Sequence, residues 1–141
     1  MREPPRIKCG SPRASKQSKE VMTTVNRPSD VPRDELAEKP LAPPSAEPLS
    51  GEILVRSRVD FATDDRRIVS GIWESDPGTS RWEFLTRGEL IHVLSGRMTV
   101  RRDGDEAAEI APGTTAYFPI GWCGTWTVHE TLRKFFVVYK P

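Results

Sequence analysis

Hydrophobic and polar residues alternate along short segments in the last two thirds of the chain. In the segment 97–101, Met98 and Val100 alternate with three polar residues. A period of two is typical of a β-strand that buries one face. Similar runs predict strands at 53–59, 67–74, 81–85, 90–94, 97–102, 107–110, 115–118, 124–128 and 133–139.

Turn residues separate these runs at short intervals. Asp76-Pro77-Gly78 ends the second run, where proline presets φ and glycine accepts a positive φ. Gly96 and Gly113 follow the runs at 90–94 and 107–110, where the chain turns a corner and a positive φ is favoured. About nine short strands without a convincing amphipathic helix predict an all-β fold, an antiparallel sandwich or barrel.

The first 50 residues have a different composition. Nine of the 13 prolines lie in residues 1–48, and all 11 aromatic residues lie from Phe61 onward. A segment of this kind cannot bury enough apolar surface to offset the entropy of ordering it. We therefore predict a disordered, Pro-rich tail at 1–50 and one folded domain at 51–141. The residues before Met22 carry no pattern, which makes Met22 an alternative translation start.

Charge and cysteine content narrow the classes of function. The chain has 21 Lys and Arg against 20 Asp and Glu, a net charge of +1, which gives no case for binding nucleic acid or membranes. No apolar stretch suggests a secretory signal or a transmembrane helix. The two cysteines, Cys9 and Cys123, make no disulfide framework and fit a reduced, cytoplasmic setting.

Several segments resemble the small single-domain cupins. They are 71–78 (GIWESDPG), 89–96 (ELIHVLSG), 118–126 (FPIGWCGTW) and the closing strand 133–139 (RKFFVVY). The most similar branch is the one related to the cupin domain of ureidoglycine aminohydrolase. The resemblance covers about residues 51–141 and implies an RmlC-like jelly-roll barrel, a double-stranded β-helix. It implies no single activity, because this fold hosts enzymes, binding proteins and proteins without a known ligand.

The resemblance also shows which metal ligands are missing. In metal-binding cupins the first motif supplies two histidines and a glutamate and the second supplies another histidine, a set that suits Mn, Fe, Ni or Zn. Glu89 matches the glutamate. The two first-motif histidine positions fall on Trp82 and Phe84, or on Glu83 and Leu85 with the shorter allowed spacing, and the second-motif position falls on Gly124. The usual site therefore cannot be assembled, and we expect no resident metal cofactor.

A rebuilt metal site is the weaker alternative. It would combine Glu89 with Cys123 and His129, although metal sites need several ligands at fixed geometry. His92 lies three residues after Glu89 on one predicted strand, so the two side chains face opposite sides. The simpler interpretation places His92 on the surface or in an interface and His129 at a solvated rim.

Glu89 is the candidate binding or catalytic residue. In a jelly roll its carboxylate would point into an interior lined by Trp82, Phe84 and Trp126. Burial raises the pKa of a carboxyl group unless a partner is present. The candidate partners from nearby strands are Arg81, Arg87, Arg97 and Arg133. Such a carboxylate could bind a small polar ligand or act as a general base, and a purely structural ion pair is an equal alternative.

Three functions follow from these observations. The favoured one is a cupin domain that binds a small polar molecule in the barrel without a conventional metal site. The alternatives are a metal-dependent enzyme of the ureidoglycine aminohydrolase type and a non-catalytic structural or regulatory dimer. We expect a homodimer, for which the exposed face of the strand at 90–94 could supply the interface.

Overall fold

The computed structural model describes residues 21–141, and within them it contains nine β-strands. The strands are β1 (Ala37–Pro40), β2 (Glu47–Pro48), β3 (Leu54–Ala62), β4 (Ile68–Ser75), β5 (Gly78–Glu83), β6 (Gly88–Arg102), β7 (Ala108–Ile110), β8 (Thr115–Phe118) and β9 (Cys123–Tyr139). A single turn of 3-10 helix, Arg33–Glu35, precedes β1. In this part of the chain, no helix has the length and apolar character needed to cross a membrane.

The strands form two antiparallel sheets that share the two longest strands. β6 and β9 pair with each other along almost their whole length. The first sheet has the order β1, β3, β4, second half of β9, first half of β6, β8. The second sheet has the order β2, β5, first half of β9, second half of β6, β7. The β6–β9 ribbon therefore passes from one sheet into the other, which confirms the predicted jelly-roll fold.

Gly96 lies where this ribbon bends. The pairing register shifts on both sides of Ser95. Gly96 has a φ of +83°, and a Cβ atom added to it would lie 2.1 Å from the carbonyl oxygen of Thr131. Only glycine fits such a corner. The corner predicted at Gly96 is confirmed, and the runs predicted at 90–94 and 97–102 are the two halves of one bent strand.

Alternation along the long strands separates the barrel interior from its surface. In the first half of β6, Glu89, Ile91 and Val93 are buried, whereas Leu90 is exposed and His92 is half-buried. The buried apolar side chains form one cluster inside the barrel. This alternation places the Glu89 carboxylate on the inner face, as the sequence pattern predicts.

Residues between 36 and 49 are ordered, which differs from the prediction of a disordered tail through residue 50. β1 pairs with β3 and β2 pairs with β5, and Leu36, Leu41 and Ala46 are buried. This segment needs no core of its own, because it adds strands to the edges of both sheets and buries a few side chains on existing apolar surface. The predicted tail residues 1–20 lie outside the described residues.

A buried carboxylate joins the chain before β1 to the outer face of the first sheet. Glu74 on β4 is only 5% exposed. Its Oε1 atom lies 2.9 Å from Arg56 Nε and 2.7 Å from Arg33 Nε, and its Oε2 atom lies 3.0 Å from Arg133 Nη2. Arg133 also donates a hydrogen bond of 3.0 Å to the carbonyl oxygen of Pro28. One carboxylate thus connects β3, β4 and β9 with the chain that precedes β1.

We expect Glu74→Gln to lower the free energy of unfolding by roughly 3 kcal/mol or more, because it leaves the buried Arg133 guanidinium without a carboxylate. Urea unfolding followed by tryptophan fluorescence measures this change. Asp105→Asn is the control, since it breaks an exposed ion pair with Arg102 and should leave stability nearly unchanged. A Glu74→Gln protein as stable as the wild type would contradict the role given to Glu74.

Candidate functional site

A cavity of about 350 Å³ lies against the inner face of the first sheet. The segment 39–45, which links β1 towards β2, forms one of its walls. Most of the lining is apolar and includes Leu41, Val55, Trp73, Trp82, Phe136 and Val138. The charged residues of the lining are Lys39, Arg87, Glu89 and Lys134. An apolar cavity with a few converging polar groups is the usual form of a small-molecule site.

Glu89 and Lys134 form a buried ion pair in the cavity wall. Glu89 is 4% exposed and Lys134 is 1% exposed. Lys134 Nζ donates a hydrogen bond to Glu89 Oε2. The two side chains come from the paired strands β6 and β9. Each charge compensates the other, because either one alone would be very costly to bury.

Three indole rings surround the ammonium group of Lys134. The Nζ atom lies 4.4 Å from the ring centroid of Trp73, 4.5 Å from that of Trp126 and 5.7 Å from that of Trp82. These distances fall in the range of cation–π attraction. Trp82 and Trp126 stack on each other with their centroids 4.0 Å apart. The rings therefore replace part of the hydration that the ammonium loses inside the barrel.

Burial lowers the pKa of Lys134 below its ordinary value, because the charged form loses its hydration. The negative charge and the hydrogen bond of Glu89 act in the opposite direction, and the positive charge of Arg87 lowers the pKa further. The loss of hydration outweighs the attraction of Glu89. Glu89 and the indole rings therefore offset only part of the hydration that the Lys134 ammonium loses on burial.

The residues predicted to bind a ligand fall into two groups. Glu89 and Trp82 line the cavity. Phe84 and Trp126 are fully buried and are not part of the lining. Phe84 stacks between Trp82 and Phe118, with centroid distances of 5.8 and 5.4 Å. Phe84 and Trp126 therefore support Trp82 from the barrel interior.

The partner of Glu89 is a lysine that the sequence analysis missed. Of the four arginines considered, three pair elsewhere, namely Arg81 with Asp103, Arg97 with Glu109 and Arg133 with Glu74. Arg87 lines the cavity without forming an ion pair within residues 21–141. The inward direction of Lys134 could have been predicted from the sequence, because alternation along β9 places it on the same face as Leu132 and Phe136.

The residues of the weaker metal hypothesis do not form a ligand cluster. Within residues 21–141, no group of three or more His, Cys, Asp or Glu side chains is arranged to hold a metal ion. The Nε2 atom of His129 lies 2.7 Å from Thr99 Oγ1 on the exposed surface. Cys123 is a half-buried free thiol. The structure therefore does not bring Cys123 and His129 together with Glu89.

The fold and this inner wall define the class of protein. A two-sheet jelly roll built on a bent β6–β9 ribbon, with a motif glutamate on its inner face, is a cupin. Residues 62–136, more than half of the chain, match the model of the EutQ-like cupin domain. The chain belongs to this cupin family.

Solved structures of other cupin-like proteins resemble this one. The EutQ protein of Clostridium difficile is 23% identical with a TM-score of 0.54, over 62% of this chain and 69% of that one. A protein of unknown function from Pseudomonas syringae pv. tomato is 23% identical with a TM-score of 0.62, over 73% of this chain and 43% of that one. Ectoine synthase from P. lautus is 18% identical with a TM-score of 0.55, over 62% and 64%.

At these identities the likeness establishes the fold alone. None of the curated proteins compared with the chain matches it significantly. The activity of this protein therefore has to be argued from its own residues.

We expect Glu89→Gln and Lys134→Met each to lower the free energy of unfolding by roughly 3 kcal/mol or more, because each leaves one buried charge without its partner. The double variant should lose less than the sum of the single variants, with a coupling of at least about 1 kcal/mol. Urea unfolding of the four proteins gives this coupling. The exposed pair Arg102–Asp105 supplies a control cycle that should be nearly additive. Additive effects at Glu89 and Lys134 would mean that the pair does not form.

Proposed function

We propose that this cupin domain binds a small polar molecule in the cavity beside Glu89 and Lys134, without the metal ion of metal-binding cupins. The observation that carries the proposal is that only one oxygen of the Glu89 carboxylate has a hydrogen-bond partner. Lys134 occupies Glu89 Oε2, whereas Glu89 Oε1 receives no hydrogen bond from any residue between 21 and 141. Glu89 lines the cavity, so a ligand there can donate a hydrogen bond to this free oxygen.

The size and walls of the cavity support the same proposal. A volume of about 350 Å³ lies at the lower end of the range of small-molecule sites. Trp73 and Trp82 offer flat apolar surface on the inner side, and the segment 39–45 limits the space opposite them. The ligand that fits is small, with a polar part directed at Glu89 and an apolar part against the indole rings.

The same geometry disfavours metal-dependent chemistry of the ureidoglycine aminohydrolase type. The carboxylate that would bind a metal ion is paired with the Lys134 ammonium, which supplies a positive charge of its own. The residues at the histidine positions are Trp82 and Phe84, or Glu83 and Leu85 with the shorter spacing, and Gly124, so none is a histidine. Of these, only Glu83 has a side chain that binds metals, and it is exposed on β5. We therefore propose binding at Glu89 and assign it no catalytic step.

Ligand-induced thermal stabilisation tests the proposal. We expect members of a library of carboxylates, sugars, ureides and amino acids to raise the melting temperature of the wild-type protein, because a ligand of the folded state stabilises it. Val138→Trp should abolish the response by filling the cavity, since Val138 is part of its lining.

The matched control is Val137→Trp, which changes the neighbouring residue on the outer face of β9 and should keep the response. Absence of a response from every class of compound would contradict the proposed function. An equal response of the wild type and Val138→Trp would place the binding outside this cavity.

A second proposal concerns association through the outer face of the first sheet. Large apolar side chains on the outer face of this sheet are 44–55% exposed, namely Phe61, Ile68, Leu90 and Tyr117. Next to them a groove is lined in part by His92, Leu94 and Phe135. An extended apolar surface of this kind marks an interaction site. We propose that two copies of the chain pair through this face, as such a patch can complement itself across a two-fold axis.

We expect the wild-type protein to be a dimer in light scattering at micromolar concentration and Leu90→Glu to be a monomer, because a buried unpaired carboxylate opposes association. Leu85→Glu is the control, since Leu85 is 62% exposed but lies between β5 and β6 and outside this face. A monomeric wild-type protein would contradict the dimer.

A further inference from the structure

We propose that the ligand of the cavity is a small organic monocarboxylate whose anionic group binds Arg87 and whose neutral hydrogen-bond donor binds Glu89 Oε1. The inference rests on the proposed binding function and adds the charge and chemical class of the ligand. It is carried by the charges that line the cavity and by the groups that compensate them.

The charged residues of the cavity lining are Lys39, Arg87, Lys134 and Glu89, so positive charge is in excess. Lys39 is exposed, so water hydrates its ammonium group. Lys134 and Glu89 compensate each other. The guanidinium of Arg87 has no carboxylate partner within residues 21–141, and its central carbon lies 5.5 Å from the centre of the Phe84 ring. A ligand with one negative charge would compensate Arg87. A ligand with two negative charges would place an excess of negative charge beside Glu89, which favours a carboxylate over a phosphate dianion.

Arg87 and Lys134 both line the cavity, so one ligand can contact both cationic groups. The positive charge of Arg87 contributes to lowering the pKa of Lys134, so the two groups interact through space. Arg87 is half-buried and packs on the face of Phe84, which limits the freedom of its guanidinium. A guanidinium held in this way can bind a carboxylate through two parallel hydrogen bonds.

Glu89 sets a second requirement for the ligand. A carboxylate without a donor group would bring its negative charge towards Glu89 and leave Glu89 Oε1 without a hydrogen bond. A hydroxyl or amide N–H close to the carboxylate would instead donate to Glu89 Oε1. A short carbon skeleton between these groups would pack against apolar residues of the same cavity, such as Trp73 and Phe136.

Four matched probes test this class by isothermal titration. They are 2-hydroxybutyrate, which has the anion and the donor, butyrate, which lacks the donor, 2-hydroxybutyramide, which lacks the charge, and inorganic phosphate. We expect 2-hydroxybutyrate to bind the wild type roughly tenfold or more tightly than the amide, since charge-assisted hydrogen bonds are about twice as strong as neutral ones. Butyrate should bind more weakly than 2-hydroxybutyrate.

The variant Arg87→Gln should remove the preference for the acid over the amide. The control Arg97→Gln removes an exposed arginine that pairs with Glu109 and does not line the cavity, and it should keep the preference. Acid and amide binding equally to the wild type would overturn the inference, as would an unchanged preference in Arg87→Gln. A preference for phosphate would overturn the choice of a carboxylate.

These outcomes are separate from a failure of the binding function itself. If the amide, the sugars or other neutral compounds bind and Val138→Trp abolishes that binding, the cavity is a binding site and only the anionic class is wrong. If no probe of any charge binds, the proposed function fails together with this inference.

Discussion

The interior of the barrel depends on one buried positive charge. The Lys134 ammonium is nearly inaccessible to water, and four side chains replace its hydration. Glu89 and Trp73 belong to the first sheet, whereas Trp82 and the first half of β9, with Trp126, belong to the second. Because the ammonium is costly to bury without this complete set, it specifies how the inner faces of the two sheets are placed around it.

Two successive residues of β9 extend this arrangement to both sides of the first sheet. Arg133 points outward and binds Glu74, while Lys134 points inward and binds Glu89. The outer carboxylate also holds Arg33, which lies just before β1. The chain that follows β1 then forms a wall of the cavity. The outer ion pairs and the inner site are therefore connected through a short stretch of chain.

Much of the fold could be predicted from the sequence, because alternation and turn residues are local signals. The corner at Gly96 follows from the turn pattern, and the inward direction of Glu89 follows from alternation together with the cupin resemblance. The ordering of residues 36–49 could not be predicted from composition, because Leu36 and Leu41 bury themselves on a surface made by distant strands. The pairing of Glu89 with Lys134 was missed because the search for an opposite charge turned to the more numerous arginines. The pattern that identifies Lys134 is alternation along β9, which directs its side chain into the barrel.

The path of residues 37–48 has a consequence for the width of the cavity. β1 lies at the free edge of the first sheet and β2 at the free edge of the second, so this segment spans the open side of the barrel. The continuous β6–β9 ribbon also joins the two sheets, because each of its strands passes from one sheet into the other. The spacing between the two layers is thus constrained by two connections. The width of the cavity, and with it the size of a molecule that would fit the proposed site, therefore depends on these two covalent connections as much as on the side chains of the lining.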